Sequence, residues 1–281
     1  MKMNTIERNN VKIKGHGEKT IIFAHGLGCD QDMWQYIVPH FEKKYRVVLF
    51  DYVGSGNSDI KAYDIDRYSN LLGYAKDLLE ICDELELRNA IFVGHSVSSM
   101  IGMLASIKDN DIFSRLIMIG PSPRYLNDLP KYYGGFEEND ILELLDMMEM
   151  NFVGWASYLA PIALNNPEQH QLTNELEKSF RSTDPFVTKQ FAKVTLFSDH
   201  REDLSKVTVP VLIMQCSEDS IAPIEVGKYL YNHLPTSTFI LMNAKGHYPH
   251  LSHPNETIDL IDAFVSLKEE ERVEANKWII N

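Results

Sequence analysis

Three short stretches carry residue types that together can activate a hydroxyl. In Val93-Gly94-His95-Ser96-Val97-Ser98 an apolar run enters a glycine and a serine follows two places later. Small residues then lead into Met100-Ile101-Gly102-Met103-Leu104-Ala105. This pattern predicts a buried strand, a sharp turn and a helix, with Ser96 at the apex above the carboxyl edge of a parallel sheet. The usual spacing G-x-S-x-G is met except at its last place, where Ser98 stands. A serine hydroxyl is a poor nucleophile until a base takes its proton, and the base is a histidine oriented by a carboxylate.

Both partners follow in the chain order serine, acid, histidine. Asp219 lies just after an apolar run at 211–215, so it projects from the end of a sheet strand, the same edge as Ser96. Its neighbour Glu218 is the rival, and Asp219 is the favoured acid. His247 follows the last apolar run, 238–242, behind Gly246, which lets the loop turn and present the ring. Acyl transfer also needs two N–H donors for the oxyanion. The N–H of Val97, directly after the serine, supplies one, and that of Leu27, in His25-Gly26-Leu27-Gly28, is the natural second.

Other clusters point elsewhere and fail. His247, His250 and His253 suggest a metal, but Pro249 and Pro254 break any helix that could align them, and no zincin motif accompanies them. Gly54-Ser55-Gly56 follows a strand but lacks the third glycine of a dinucleotide site, and reads as a tight turn. Cys29, Cys82 and Cys216 are an odd number and widely separated, which suggests reduced thiols used for packing in a cytoplasmic protein. No cofactor motif is visible.

The elements that must hold these residues alternate. Apolar runs at 20–24, 46–51, 90–93, 115–119, 211–215 and 238–242 are mostly continuous, the signature of strands buried on both faces. Between them, 66–88 reads as a helix with Leu71, Ala75, Leu78, Cys82 and Leu85 on one face, and Lys76, Asp77, Glu80 and Asp83 turned elsewhere. The alternation predicts an α/β fold with a mostly parallel central sheet flanked by helices. It stops near Pro121. From there to about Val207 only helical patterns appear, at 137–150, 151–164, within 171–181 and from Asp184 through Leu196. This insert is expected to lie as a four-helix lid over the sheet's carboxyl edge, where ligands bind in open α/β folds. The division is thus 1–122 and 205–281 for the core and 123–204 for the lid.

The 281-residue chain is large enough for one such domain with an insertion, and its 44% hydrophobic and 24% charged composition is that of a globular protein. A net charge of −13 argues against nucleic-acid or anionic-membrane partners, which need a basic face. The first ten residues hold no apolar stretch, and no run reaches transmembrane length, so neither signal peptide nor membrane span is expected.

With these motifs in place, the chain resembles the small α/β-hydrolases of the RsbQ/strigolactone-receptor group. The resemblance rests on Gly26-Leu27-Gly28-Cys29-Asp30-Gln31, Phe50-Asp51-Tyr52-Val53-Gly54-Ser55-Gly56 and the serine motif. It extends to Tyr132-Tyr133-Gly134-Gly135-Phe136-Glu137-Glu138 and Phe197-Ser198-Asp199-His200-Arg201-Glu202-Asp203-Leu204, in the variable insert. It implies an intact Ser96–Asp219–His247 triad beneath the lid, and a closed apolar pocket for a small hydrophobic ligand. Leu27, Phe136, Trp155, Leu159, Leu196 and Phe197 would line that pocket. Two departures stand out: Leu27 occupies a place the group usually gives to phenylalanine, and Ser98 replaces the last motif glycine, as it does in the plant receptors.

The first functional expectation is a serine hydrolase of a small apolar ester or lactone. The resemblance adds a signalling role in a sigma-B-type stress response, with a PAS-containing protein phosphatase as partner, in which ligand occupancy rather than turnover could be the signal. Perhydrolysis or C–C bond cleavage on the same fold stays open.

Overall fold

The computed structural model describes residues 4–267; residues 1–3 and 268–281, which the sequence assigns to the two ends of the core, lie outside the described residues. The sheet consists of β1 (Lys12–Lys14), β2 (Thr20–Ala24), β3 (Arg46–Leu49), β4 (Ala90–His95), β5 (Phe113–Ile119), β6 (Val211–Cys216) and β7 (Ser237–Met242). Their spatial order is β1-β3-β2-β4-β5-β6-β7, antiparallel at β1 and parallel throughout the rest. Each of the six apolar runs forms a strand. β1 is the one that sequence patterning misses: Lys-Ile-Lys is three exposed residues, too short and too polar to register as a strand.

β4 and β6 are buried at every position because both faces of the sheet are covered. Alternate residues of the strands feed two cores. Ile22, Val48, Phe92, Leu116 and Ile213 pack with α3 (Leu71–Glu84), α4 (Val97–Lys108) and α9 (Ile224–His233). Ile21, Val47, Val93, Ile117 and Leu212 pack with α2 (Val38–Phe41) and α11 (Pro254–Ser266). A short α1 (Thr5–Arg8) precedes β1, and α10 (Pro249–Ser252) follows β7.

α3 buries Leu71, Ala75, Leu78 and Cys82 as its spacing predicts, but also Asp77, which the periodicity turns away from the core. Asp77 is fully buried because charge and hydrogen bonds meet it there. Arg67 and Arg8 pair with it, and the Tyr68 hydroxyl donates to Oδ2 at 2.7 Å. The network pins α1 and the loop before α3 to the helix, and an unpaired carboxylate in that position would be strongly destabilising.

Between β5 and β6 lie α5 (Glu138–Met150), α6 (Phe152–Leu164), α7 (His170–Ser182) and α8 (Pro185–Leu196), within a residue or two of the four helical patterns. They form a third core: Ile141, Leu145, Trp155, Leu176, Phe180 and Leu196 pack over Cys29 and Met33. The carboxyl end of α6 rests on the sheet's carboxyl edge. There Ala163 C=O accepts the His247 N–H at 2.7 Å, and Ile162 C=O accepts the Ser220 hydroxyl at 3.2 Å.

Candidate active site

β4 runs directly into Ser96, whose φ of 56° and ψ of −123° lie in a region non-glycine residues seldom adopt. The strain is held by Ser96 N–H, which donates to Ile119 C=O at the end of β5 (2.8 Å), and by α4, which begins at the next residue. This turn lifts the hydroxyl off the strand end. Val97, at the start of α4, has one of the first-turn N–H groups that find no acceptor within a helix.

Asp219 follows β6 and His247 follows β7, both on the edge that carries Ser96. Asp219 Oδ1 accepts the N–H groups of Ile221 (2.8 Å) and Ala222 (3.0 Å), which fixes the carboxylate plane. Its Oδ2 lies 2.7 Å from His247 Nδ1. A carboxylate only accepts, so Nδ1 carries the proton and Nε2 is left to accept the Ser96 hydroxyl at 2.8 Å. Gly246 takes φ +75°, and a Cβ there would sit 1.9 Å from Leu164 C=O, so only glycine lets the loop pass under α6 and present the imidazole. Glu218, the rival acid, instead pairs with Lys245 at 2.7 Å on the surface.

The hydroxyl borders a small cavity of about 50 Å³ lined by Leu27, Trp155, Leu159 and Leu196 together with Tyr125, Phe180 and Tyr248. The side chains of Asp219, His247 and Ser96 are nearly excluded from solvent. In such a dry site a proton relay and fixed dipoles act far more strongly than in water.

The chain matches the alpha/beta hydrolase fold family over residues 19–254. The chain belongs to that family. It is 39% identical over 256 residues to the karrikin insensitive 2 receptor CA of Petunia hybrida, covering 91% of this chain and 94% of that one. It is also 39% identical over 252 residues to the strigolactone esterase D14 of Arabidopsis thaliana, covering 89% and 94% respectively. Among solved structures, the hydrolase olei00960 of Oleispira antarctica superposes with a TM-score of 0.92 at 45% identity, over 94% of this chain and 97% of that one. The chain is an esterase-like alpha/beta hydrolase by these likenesses, and no helix of the described residues is long and apolar enough to cross a membrane.

Of the six residues expected to line a ligand pocket, Leu27, Trp155, Leu159 and Leu196 border this cavity. Phe136 and Phe197 do not border the cavity. Phe136 packs beside Tyr125, with ring centroids 6.5 Å apart, and Phe197 borders a groove on the outer surface with Tyr63 and Tyr68. Both lie just outside helices, Phe136 before α5 and Phe197 at the end of α8, where side-chain direction does not follow from helical spacing. This space is also smaller than a ligand pocket of ~300–1,000 Å³. Anything larger than a few atoms must displace the rings of Trp155, Phe180 or Tyr248.

Sequence reasoning misses two groups next to Ser96 and His247. The Tyr125 hydroxyl stands 3.4 Å from Ser96 Oγ, and burial pushes its pKa up to about 12, so it stays a donor. No motif announces it; only its place just beyond the carboxyl end of β5 does. His95, inside the serine motif, donates from Nε2 to His247 C=O at 2.8 Å and so ties the strand that ends at Ser96 to the loop that carries His247. Its ring lies 4.5 Å from that of His250, which packs against Trp34 at the same centroid distance.

His95 and His250 are buried imidazoles held neutral. Burial depresses both: His95 lies well below its ordinary value and His250 is pushed down to about 3. Below the unfolded pKa near 6.5, the unfolded chain takes up protons that the folded protein refuses. Their contribution to stability is therefore full above about pH 7 and declines as the pH falls from about 6.5 toward 3. The slope is about 1.4 kcal/mol per pH unit for each histidine. Urea midpoints at pH 7.5 and pH 5 are expected to differ accordingly, with a smaller difference in His250→Phe. Equal slopes in the two proteins would remove His250 from the account.

Proposed function

We propose that this alpha/beta hydrolase is a serine hydrolase of small, largely apolar carboxylic esters or lactones, with Ser96 as nucleophile, His247 as base and Asp219 as its orienting acid. One observation carries the reading: the unbroken hydrogen-bond chain Asp219–His247–Ser96, ending at a strained serine in a buried apolar cavity. As Ser96 Oγ attacks the carbonyl carbon, its proton passes to His247 Nε2, and the imidazolium forms against the Asp219 carboxylate. The oxyanion is received by the N–H groups of Leu27 and Val97. His247 then protonates the leaving alkoxide, which stays tethered in a lactone, and later takes a proton from the water that releases the acyl group. Residues 123–204 serve as the lid over a core of 1–122 and 205–281, and Leu27, Trp155, Leu159 and Leu196 grip the apolar part of the substrate. The three cysteines, all buried and free, fit a reducing compartment such as the cytoplasm.

The test is chemical. p-Nitrophenyl acetate or butyrate should be turned over, and a fluorophosphonate should add one phosphonyl group that maps to Ser96. A protein that does neither is no serine hydrolase.

A second reading is favoured by the size of the cavity. A space of about 50 Å³ must open to admit a ligand, so occupancy is coupled to the packing of α6 and α7. Relatives carrying the word receptor in their names add support. In this reading the hydrolase reports its ligand to a partner, and a PAS-containing phosphatase of a sigma-B-type stress pathway is the partner we propose. A Ser96→Ala protein that still signals in cells would make occupancy the signal. One that is silent while still binding ligand would make it turnover.

A further inference from the structure

Ser98 stands where the serine motif usually carries glycine, and its hydroxyl is used. The residue is fully buried in the first turn of α4, next to Val97. Its Oγ lies 2.5 Å from His25 C=O and 2.8 Å from the Tyr52 hydroxyl. A carbonyl only accepts, so Ser98 donates to His25, and the Tyr52 proton is the one left to donate to Ser98. A short relay, Tyr52 O–H to Ser98 O–H to His25 C=O, thus joins α4 to the loop after β2. Each bond in such a chain polarises the next.

That loop carries Leu27, two residues beyond His25. The peptide that presents the Leu27 N–H begins at the Gly26 carbonyl, and this carbonyl is held as well. The His25 ring accepts the Tyr52 N–H at Nε2 (3.2 Å), so in the neutral ring Nδ1 carries the proton and donates to Gly26 C=O at 2.9 Å. The Cys29 N–H adds a second, longer bond to the same oxygen. In a planar trans peptide the C=O and N–H point in opposite directions. Pinning the Gly26 oxygen therefore aims the Leu27 N–H. There is little slack, since Gly26 passes so near His95 that a Cβ would fall 2.5 Å from Nδ1.

We infer that Ser98 is a positioning residue that sets the oxyanion loop, tying the helix that presents the Val97 N–H to the loop that presents the Leu27 N–H. The inference rests on the serine-hydrolase reading and deepens it: one hydroxyl fixes the spacing of the two donors before any substrate arrives. A glycine or alanine at position 98 leaves the loop without that tie. Tyr52 backs the relay, and losing its hydroxyl alone leaves the Ser98–His25 bond in place.

Ser98→Ala and Ser98→Gly should lower kcat for p-nitrophenyl acetate by about tenfold, less than the ~10²–10³ seen when an oxyanion donor is lost outright. KM should stay within about twofold, because the hole engages the transition state rather than the bound ester. Amide hydrogen exchange over residues 24–30 should quicken in both variants. The double variant Ser98→Ala with Tyr52→Phe leaves no orphaned phenol, so it separates the tie from a buried unsatisfied hydroxyl. It should match Ser98→Ala in kcat, and Tyr52→Phe alone should lose less. An active wild type whose Ser98→Ala variant keeps its kcat overturns this inference alone. So does a fall in kcat without faster exchange over 24–30, or recovery of kcat in the double variant. A wild type that neither turns over the ester nor labels at Ser96 overturns the reading of the site, and the inference with it.

Discussion

Ser96→Ala, His247→Ala and the variant carrying both are expected to fall to one common floor, about 10⁶-fold below wild type in kcat. The hydroxyl without its base is nearly inert, and the base without its hydroxyl has nothing to activate, so the first removal takes away what the second would have lost. The 2.8 Å contact between Ser96 Oγ and His247 Nε2 makes the two a unit. What remains at the floor comes from the oxyanion donors and the dry cavity acting on water. The measurement is single-turnover release of p-nitrophenol by the three proteins. Additive losses, with the double variant falling below either single one, would mean that Ser96 and His247 act in separate steps. Circular dichroism of Ser96→Ala is expected to be unchanged, since the substitution removes one oxygen and relieves no packing.

The parts of the site legible in the sequence are those whose signal is local. Ser96 is announced by a strand, a glycine and small residues within ten positions, and Asp219 and His247 by the ends of apolar runs. The strand order then brings all three loops to one edge, which is why a one-dimensional reading suffices. The cavity is another matter. Leu27, Trp155, Leu159 and Leu196 border it, whereas Phe136 and Phe197 pack against the lid core without bordering it, because a residue beside a helix end is aimed by tertiary packing. Tyr125, Phe180 and Tyr248 reach the same space from three unrelated segments, and nothing in their spacing brings them together. Asp77 fails for a similar reason: its partners Arg8 and Arg67 come from outside its helix, so periodicity assigns to solvent a carboxylate that the fold buries. Ser98 reads in the sequence as a flaw in a motif, and only the position of the His25 carbonyl turns it into a tie.

Asp219→Asn is expected to cost about 10⁴-fold in kcat while leaving the fold and ester binding nearly unchanged. The argument lies in which atoms can donate. Asp219 uses Oδ1 for the N–H groups of Ile221 and Ala222, and Oδ2 for His247 Nδ1. In asparagine the oxygen must stay toward the two backbone donors, so the amide nitrogen faces His247. That nitrogen donates, and it forces Nδ1 to become the acceptor and Nε2 to carry the proton. An imidazole protonated at Nε2 cannot take the Ser96 proton, although every distance is preserved. The imidazolium that would form in the transition state also loses its facing charge. Fluorophosphonate labelling of Ser96 should slow in parallel with kcat, while KM stays close to wild type. The residual rate should rise with pH as hydroxide replaces the disabled base. An Asp219→Asn enzyme within tenfold of wild type would make Glu218, paired with Lys245 on the surface, the acid to examine next.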